Sequence, residues 1–319
     1  MQVSFVIPLY NCLALTRAMV ASLQASLPAG LAHEIILVDD GSTDGTREWL
    51  ATLRAPFAVV LNERNLGYAA ANNRGAALAR GEFLALLNND LVLSPGWLEP
   101  LLAAHRSLGA RAGLVGNVQL DFRTGAVDHA GIALNLKGKL EHLRTRPIPL
   151  SRLLFPVRPV GAVTGACLLL GRALWQQLGG FDEGYVNGCE DVDLCLRALG
   201  AGRINAVALR SVVRHHVSSS ARRKARDEEN TFRFTRRWRP ELWRLVGRRW
   251  CWQYLEAYWL GPRDPAEHAL ARGMLCYALH LRRTPPAGAY RALHAALDAE
   301  LARWQGMFGA PGESQRPPA

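Results

Sequence analysis

Two adjacent carboxylates, Asp39 and Asp40, follow an apolar run at residues 35–38 and precede a turn rich in glycine and hydroxyl groups, GSTDGT. The run is typical of a strand covered on both faces, and parallel sheets bind ligands beyond the carboxyl ends of their strands. A carboxylate there can accept hydrogen bonds from a base N–H or from ribose hydroxyls. Gly41 and Gly45 permit positive φ angles or close backbone approach. These residues favour a nucleotide pocket.

The same stretch has a purely structural alternative. Asp-Gly-Ser at residues 40–42 is a common turn sequence, and Ser42 or Thr43 could cap a helix over residues 47–53. The stretch alone does not separate a capped turn from a ligand site, so the rest of the chain has to decide.

Two further polar clusters lie where a parallel sheet gathers ligands. Asn89-Asp90 comes one residue after the buried strand pattern of residues 83–87, and an acidic run, EDVD, occupies residues 190–193. A hard divalent cation such as Mg²⁺ or Mn²⁺ binds oxygen ligands, so a carboxylate like Asp90 suits it. Each cluster has a local alternative, because a polar turn explains the first and acidic groups at a helix N-terminus explain the second. Their joint presence points to a ligand site.

A histidine doublet, His215-His216, follows a strand-like segment and precedes serines at 218–220 and basic residues at 222–224. Structural packing is the default explanation for a single histidine. A doublet in a basic, serine-rich loop favours metal or phosphate contacts instead. The sequence does not indicate which imidazole faces the site.

Strand and helix patterns alternate along the chain and predict how these side chains are positioned. Strand patterns cover residues 3–8, 34–40, 58–61, 83–87, 114–120, 163–170 and 211–213, and helix patterns cover 12–27, 44–53, 68–80, 95–105, 173–178 and 190–199. The alternation predicts an α/β fold with a mostly parallel sheet and crossover helices. Between 121 and 159 the pattern weakens, and we expect a loop.

Composition and charge bound the class of protein. With 49% hydrophobic and 20% charged residues, the 319-residue chain is typical of a globular protein and not of a disordered or fibrous one. No apolar run reaches the roughly 18–20 residues of a membrane span, and no signal-like segment follows Met1. The six cysteines form no CxxC pair, so we expect reduced thiols. These features favour a cytoplasmic location.

The net charge of +11 is uneven, since residues 203–249 carry fourteen basic and four acidic side chains. Such a segment attracts nucleotide phosphates, a lipid diphosphate, an anionic bilayer or nucleic acid, and charge alone does not rank them. A solvated basic face is the alternative. No nucleic-acid recognition motif is present, so we expect no nucleic-acid partner.

Beyond about residue 240 the composition changes to tryptophan, arginine and alanine at helical spacing. We predict a helical C-terminal region at 241–308 and a disordered tail at 309–319. Aromatic residues and arginines within 243–259 could form an amphipathic helix that touches the inner membrane peripherally. A helix packed on the rest of the protein explains the same pattern equally well.

Five ordered motifs make the chain resemble the family 2 glycosyltransferases, inverting enzymes of GT-A fold that use nucleotide-sugar donors. They are VSFVIPLYN at 3–11, VDDGSTDGT at 38–46, NLGYAAANNRG at 65–75, LLNND at 86–90 and VTGACLLLGRALWQQLGGFDEGYVNGCEDVDLCLRALGAG at 163–202. The resemblance implies a Rossmann-like GT-A catalytic domain over 1–240, with a nucleotide-sugar half at about 1–110 and an acceptor half at about 111–240. A Rossmann dehydrogenase is excluded because no GxGxxG follows the first strand.

The resemblance implies a pocket for a pyrimidine base. Pro8 and Tyr10 would help to hold the base, Asp40 would accept a hydrogen bond from its N3–H, and Asp39 would shape the pocket. Uracil and thymine both offer that N3–H. The implied donor is therefore a sugar attached to a uridine or thymidine nucleotide. Because the chain looks most similar to the rhamnosyltransferase subgroup, dTDP-L-rhamnose is one implied donor, and a UDP-sugar is the other.

Four further residues are implied to lie along the donor. Asn65, Gly67 and Asn72 would lie beside the nucleotide, and Asn89 would meet the ribose. Asn72 and its neighbour Asn73 could equally cap or bridge the local helix.

By resemblance, Asn88-Asn89-Asp90 occupies the position of the family's DxD metal motif, from which it departs because only Asp90 is acidic. Asp90 would then be the sole protein carboxylate on Mg²⁺ or Mn²⁺, and His215 or His216 would complete the metal site or contact the diphosphate. The metal would neutralise charge on the departing nucleoside diphosphate.

The acidic run would supply the acceptor side. The resemblance implies that Asp191 is the base that deprotonates the acceptor hydroxyl, that Glu190 positions the acceptor or a loop, and that Asp193 is structural. The absence of a QxxRW motif and of membrane spans favours non-processive transfer to a cell-surface glycan or a lipid-linked acceptor, as in cell-wall or polysaccharide biosynthesis. The weakened NND motif leaves open a non-catalytic, sugar-nucleotide-binding member of the same fold.

Overall fold

The computed structural model describes residues 2–135, 139–145, 149–185, 187–216, 227–261 and 265–308. The chain forms two compact units, one of residues 1–133 and 142–224 and one of residues 134–141 and 225–319. The elements up to residue 224 are β1 (Val3–Leu9), α1 (Leu13–Ser26), β2 (His33–Asp39), α2 (Thr46–Ala51), β3 (Phe57–Leu61), α3 (Tyr68–Leu78), β4 (Phe83–Leu87), β5 (Leu91–Val92), α4 (Leu98–Leu108), β6 (Ala112–Asp121), β7 (Val127–His129), β8 (Ile132–Leu134), β9 (Leu140–His142), α5 (Pro149–Leu154), β10 (Val157–Pro159), β11 (Cys167–Gly171), α6 (Arg172–Leu178), α7 (Glu190–Gly200) and β12 (Ile204–His215).

One central sheet organises the first unit. Its strand order is β10-β12-β6-β11-β4-β1-β2-β3, with β5 paired to β12 and β7 paired to β6. Strands β4, β1, β2 and β3 run parallel, as do β6 and β12, while β11 runs antiparallel between β4 and β6. The predicted α/β fold with a mostly parallel sheet flanked by helices is therefore confirmed.

Strands β1 and β2 are buried on both faces, which explains why residues 5–7 and 35–38 are apolar without alternation. Phe5 and Ile7 of β1 lie in one core with Trp97 and Leu101. Helix α3 covers the opposite face. Because β1, β2 and β4 run parallel, the residues that follow them meet at one edge of the sheet.

Two stretches differ from the sequence prediction. The expected loop at 121–159 contains β7, β8, β9, α5 and β10, and β12 extends over Ile204–His215 instead of 211–213. Arg210 and Ser211 interrupt the apolar pattern of β12 at a register shift. Ser211 is nevertheless fully buried, because its hydroxyl donates to the Trp97 carbonyl at 2.5 Å. That tertiary contact leaves no periodic signal in the sequence.

The second unit is helical, as predicted for the C-terminal region, and consists mainly of α8 (Asp227–Leu260), α9 (His268–Ala278) and α10 (Ala287–Phe308). The predicted boundary at 240 lies inside α8, which continues through Pro240, whereas the first unit ends at Lys224. The predicted tail at 309–319 lies outside the described residues.

Packing accounts for most of the aromatic residues within 243–259. Trp243 stacks on Tyr277 of α9, and Trp250 is 3% exposed. Trp259 and the next residue, Leu260, are the exposed large apolar side chains at this end of α8. In the part of the chain that the structure describes, no helix is both long and apolar enough to cross a bilayer. A membrane contact through 243–259 stays a prediction.

Candidate functional site

The GSTDGT turn after β2 is tied to the loop after β1 by side-chain hydrogen bonds. Ser42 Oγ accepts a hydrogen bond from the Asn11 amide at 2.7 Å, and Asn11 Oδ1 accepts one from the Thr43 amide at 2.8 Å. Asp44 Oδ2 accepts from the Leu13 amide at 2.9 Å, at the start of α1. The polar side chains of this turn therefore hold two neighbouring loops in register.

The capping alternative for this turn is wrong. Helix α2 begins after Gly45, which has a φ of 88°, and neither Ser42 nor Thr43 caps it. Asp44 Oδ1 instead accepts a hydrogen bond from the Thr46 amide at 3.3 Å. Gly41 also has a positive φ, and a Cβ at this position would lie 2.8 Å from the backbone carbon of Arg64. The two glycines turn Ser42 and Thr43 away from α2 and let the loop at 64–65 approach closely.

Asp40 is buried beside this loop and organises it. Its Oδ1 accepts hydrogen bonds from the Leu66 amide at 2.9 Å and from Asn62 Nδ2 at 2.8 Å, while Oδ2 accepts one from the Gly67 amide at 2.9 Å. A carboxylate oxygen has two lone pairs, so Oδ2 can accept a second hydrogen bond. Asp40 can thus hold the 62–67 loop and still accept from a ligand N–H.

Asp39 is fully buried and binds the protein itself. Its carboxylate pairs with Arg47 Nε at 2.8 Å and accepts from the Ser42 amide at 3.2 Å. Arg47 also donates to the Asn62 carbonyl. Asp39 therefore fixes the position of the GSTDGT turn through Ser42 and Arg47.

The other residues predicted beside the nucleotide divide into two groups. Tyr10 is 46% exposed after β1, Pro8 is half-buried at its end, and Asn65 is exposed. In contrast, Asn72 is fully buried, and its Nδ2 donates to the Tyr68 carbonyl one turn earlier in α3. The helix-bridging alternative thus describes Asn72, because a fully buried amide presents no surface to a nucleotide.

Asp90 and His215 lie side by side at the edge where β4 ends. His215 Nε2 is 3.1 Å from Asp90 Oδ1, and both side chains are buried. Strand β5 produces this contact, since Leu91 pairs with His215 in an antiparallel ladder. Asn89, also predicted at this edge, instead donates to Thr16 Oγ1 of α1 at 2.9 Å.

Strand geometry separates the two histidines. Successive side chains of a strand point to opposite faces, so His215 faces Asp90 while His216 turns away. The His216 ring stacks on Phe122 with 3.9 Å between ring centroids. The structure thus places His215, and not His216, beside Asp90.

The chemistry of the Asp90–His215 pair fits a divalent cation. The 3.1 Å contact of Nε2 with Asp90 Oδ1 lacks hydrogen-bond geometry, and neither ring nitrogen of His215 has another partner among the described residues, although the residue is only 3% exposed. Burying an imidazole without a hydrogen-bond partner lowers the stability of the fold. A lone pair on a His215 ring nitrogen, beside an oxygen of the Asp90 carboxylate, could bind a metal ion together with that oxygen. No group of three His, Cys, Asp or Glu side chains in the described ranges could hold a metal, so the donor would have to supply further ligands. The predicted phosphate contacts at 218–220 and 222–224 lie outside those ranges.

Asp191 lies in the first turn of α7 and is half-buried. Its Oδ2 accepts a hydrogen bond from the Gly165 amide at 2.7 Å. Glu190 is buried, and its Oε2 accepts from the Gly188 amide at 2.6 Å. Asp193 is fully buried and pairs with Arg197 Nε at 2.8 Å. Of the three carboxylates, Asp191 is the most accessible to solvent. Asp193 forms its ion pair with Arg197 of the same helix.

The segment at 164–166 connects Asp191 to the strand that leads to Asp90. The Ala166 carbonyl accepts a hydrogen bond from the Asn88 amide at 2.8 Å, next to the Gly165 contact with Asp191. Tyr68 donates from its hydroxyl to the Gly165 carbonyl at 2.8 Å. Sequence reasoning missed Tyr68, although it lies inside the NLGYAAANNRG motif.

His129 was also missed. It is fully buried, and its Nε2 accepts hydrogen bonds from the amides of Gly131 at 3.2 Å and Thr164 at 3.4 Å. Burial lowers the pKa of His129 well below its usual range, and the neighbouring cationic groups add to that effect. No periodic pattern surrounds this histidine, so its position could not be predicted from the sequence.

Comparisons with known proteins bear on the family and the fold of the chain. The family model described as "Glycosyl transferase family 2" matches residues 4–146. The chain is 33% identical over 211 residues to N-acetylglucosaminyl-diphospho-decaprenol L-rhamnosyltransferase of Mycobacterium tuberculosis, covering 59% of this chain and 68% of that protein.

Two longer relatives match more of this chain. It is 32% identical to the O-antigen biosynthesis protein RfbC of Myxococcus xanthus, over 76% of this chain and 19% of that protein. It is also 32% identical to an uncharacterized protein of Sinorhizobium fredii, over 78% of this chain and 27% of that protein. The chain thus spans about a quarter or less of the length of these two relatives.

Solved structures share the fold at low identity. A mannosyltransferase from Pyrobaculum calidifontis, in complex with GDP-Man and Mn²⁺, superposes with a TM-score of 0.56 at 20% identity, over 96% of this chain and 87% of that one. GalNAc-T7 with UDP, GalNAc and Mn²⁺ superposes with a TM-score of 0.61 at 18% identity, over 75% of this chain and 48% of that one. The expected GT-A fold is confirmed. With the sequence match to the rhamnosyltransferase, the ordered motifs and the polar edge of the sheet, the chain belongs to glycosyl transferase family 2.

Proposed function

We propose that this family 2 glycosyltransferase is inverting and non-processive. It transfers a sugar from a pyrimidine nucleotide-sugar, dTDP-L-rhamnose or a UDP-sugar, to a hydroxyl of a cell-surface glycan or lipid-linked acceptor. The observation that carries the proposal is the 164–166 segment, which binds Asp191 through Gly165 and binds the strand end that leads to Asp90 through Ala166. The names of the M. tuberculosis and M. xanthus relatives support the acceptor class.

Asp40 is the proposed reader of the base. Its Oδ2 can accept one hydrogen bond beyond that from Gly67. Uracil and thymine present an N3–H donor, whereas neutral cytosine has an acceptor at that position. The carboxylate would therefore select uridine and thymidine nucleotides over cytidine nucleotides.

Asp90 and His215 are the proposed holders of a divalent cation, Mg²⁺ or Mn²⁺. When bound, the cation neutralises charge that develops on the departing nucleoside diphosphate. The imidazole of His215 must be neutral to bind it, and the burial of this ring beside a carboxylate holds its nitrogen in place. Asn89, which donates a hydrogen bond to Thr16 of α1, holds the residues just before Asp90 against that helix.

Asp191 is the proposed base of a single displacement. The acceptor oxygen attacks the anomeric carbon, Asp191 takes the hydroxyl proton, and the bonding pair of the anomeric C–O bond leaves with the nucleoside diphosphate. The Gly165 N–H holds Oδ2, which orients the carboxylate. Attack opposite the leaving group inverts the anomeric configuration.

Calorimetry and turnover with a panel of nucleotide-sugars in the presence of Mg²⁺ or Mn²⁺ test the proposal. We expect uridine or thymidine diphosphate sugars to bind, and metal-dependent release of the nucleoside diphosphate when an acceptor is added. Failure to bind any pyrimidine nucleotide would overturn the proposal. Binding without turnover on any acceptor would favour the non-catalytic alternative. The proposed location is cytoplasmic, at the inner membrane face.

A further inference from the structure

A cluster of large apolar side chains is exposed at α5 and the residue that follows it. Leu150, Leu153, Leu154 and Phe155 are 59%, 63%, 58% and 67% exposed. Single exposed apolar residues are ordinary, but a contiguous group marks an interaction site. We name these four side chains the α5 surface.

The backbone beneath the α5 surface is fixed to β12 by two arginines. Arg152 Nε donates to the Leu209 carbonyl at 3.0 Å. Arg210 donates in return to the carbonyls of Arg152 at 2.9 Å and Leu153 at 3.0 Å. These bonds satisfy carbonyl groups that the end of a short helix leaves without partners. The apolar side chains therefore project outward from a segment that is latched to the central sheet.

Arginines flank the α5 surface along the chain and on β12, of which Arg144 pairs with Asp128 and Arg158 donates to the Ala130 carbonyl. Residues 143–160 include four arginines and no acidic residue. Arg210 is exposed, and neither it nor Arg152 forms an ion pair among the described residues. Segments that bind membranes peripherally typically combine apolar side chains with arginines. The apolar side chains enter the headgroup layer, and the arginines bind lipid phosphates.

We propose that the α5 surface docks on an anionic phospholipid bilayer. A second copy of the chain is a poorer occupant, because a two-fold contact would bring the same arginines face to face. The end of α8 is a poorer membrane contact, because Trp243 and Trp250 are buried and, of the described large apolar side chains of α8, only the adjacent Trp259 and Leu260 are exposed.

The position of the α5 surface suits a lipid-linked acceptor, a point that rests on the proposed function. Arg210, which holds α5, lies five residues before His215 on β12. Five strand residues span at most about 17 Å. A bilayer at the α5 surface would therefore lie near the strand end that carries the proposed metal ligand.

Sedimentation of the full chain with vesicles tests the docking. We expect binding to phosphatidylcholine vesicles that contain phosphatidylglycerol, weaker binding without it, and release by salt. The Leu154→Ser/Phe155→Ser variant should bind about tenfold or more weakly, because two apolar side chains no longer enter the bilayer. The matched control Leu78→Ser/Leu281→Ser, at sites 52% and 76% exposed, should bind like the unaltered chain.

Three outcomes would overturn the proposal. They are no binding of the unaltered chain to the anionic vesicles, equal binding by Leu154→Ser/Phe155→Ser, and loss of binding in Trp259→Ser/Leu260→Ser instead. Self-association that Leu154→Ser/Phe155→Ser abolishes, without vesicle binding, would assign the surface to a second copy. The assay contains neither donor nor acceptor, so its failure would leave the proposed transferase reaction standing. Circular dichroism of each variant checks that folding is retained.

Discussion

His215 Nε2 lies 3.1 Å from Asp90 Oδ1, while the adjacent His216 stacks on Phe122. Changing His215 to Gln or Asp90 to Asn should lower Mn²⁺ affinity, measured by electron paramagnetic resonance with UDP present, by about tenfold or more. His216→Gln is the matched control and should retain Mn²⁺ affinity. If His216→Gln removed the metal and His215→Gln did not, the assignment of the two histidines would be reversed.

Asp40→Asn tests whether this carboxylate reads the base. We expect weaker binding of UDP and dTDP, because an amide cannot accept at both of its ends. The substitution also disturbs the hydrogen bonds to Leu66 and Gly67, so stability should fall by about 1–3 kcal/mol.

A nucleotide-side control separates these two effects of Asp40→Asn. N3-methyl-UDP lacks the N3–H and should bind the unaltered chain more weakly than UDP does, as measured by calorimetry. In Asp40→Asn the two nucleotides should bind alike. A methylation penalty that persists undiminished in the variant would place the N3 contact elsewhere.

Asp191 and Asp193 lie two residues apart in α7 and should respond differently to the same substitution. Asp191→Asn should slow transfer by about 100-fold or more and leave the donor Kd unchanged, since a base is lost and the donor pocket is not altered. Asp193→Asn removes the buried partner of Arg197 and should lower the free energy of unfolding by about 3 kcal/mol. Transfer rates and urea unfolding distinguish the two, and equal kinetic losses would argue against Asp191 as the base.

Gly41 and Gly96 have nearly equal φ angles, 85° and 86°, but different surroundings. A Cβ at Gly41 meets the Arg64 backbone at 2.8 Å, whereas nothing lies within 4 Å at Gly96. Gly96→Ala should cost about 1–2 kcal/mol for the left-handed conformation alone. Gly41→Ala should cost about 1 kcal/mol more in urea unfolding, because the loops must also move apart. Equal losses would show that the close approach is unimportant.

His129 should make stability depend on pH. Its pKa is lowered well below 6.5 in the folded protein by burial, so below that pH the unfolded chain binds a proton that the folded chain does not. Stability should therefore rise with pH up to about 6.5, with a contribution of at most about 1.4 kcal/mol per pH unit. His129→Gln, which removes the titrating group, should reduce this slope in urea unfolding between about pH 5 and 7, the range around the ordinary pKa of histidine. An unchanged slope would mean that other groups, such as His105, dominate.

Features that depend on local residue patterns could be predicted from the sequence. The apolar runs of β1, β2 and β4 marked buried strands, and the side chains that follow them do gather at one edge of the sheet. The choice between His215 and His216 depended on the pairing of β5 with β12, which no local pattern reveals.

Other features depended on tertiary contacts that the sequence does not announce. Asn72 resembled a ligand-binding residue in its motif, yet packing buries it completely. His129 and the latch between Arg152 and Arg210 join segments far apart in the chain. The elements at 121–159 escaped prediction because they are short: β7, β8, β9 and β10 have three residues each, and α5 has six.

The interlock between Asn11 and the GSTDGT turn changes what that motif can report about other chains. Its hydroxyl and carboxylate groups form hydrogen bonds between two loops. Their presence in a sequence therefore indicates that the loops are held together, and it does not indicate catalytic activity. A relative that kept the turn but lacked the counterpart of Asp191 would preserve the shape of the proposed nucleotide pocket and lose the proposed base. Sorting active from inactive relatives should therefore rely on the positions of Asp90 and Asp191, however well the most recognisable stretch of sequence matches.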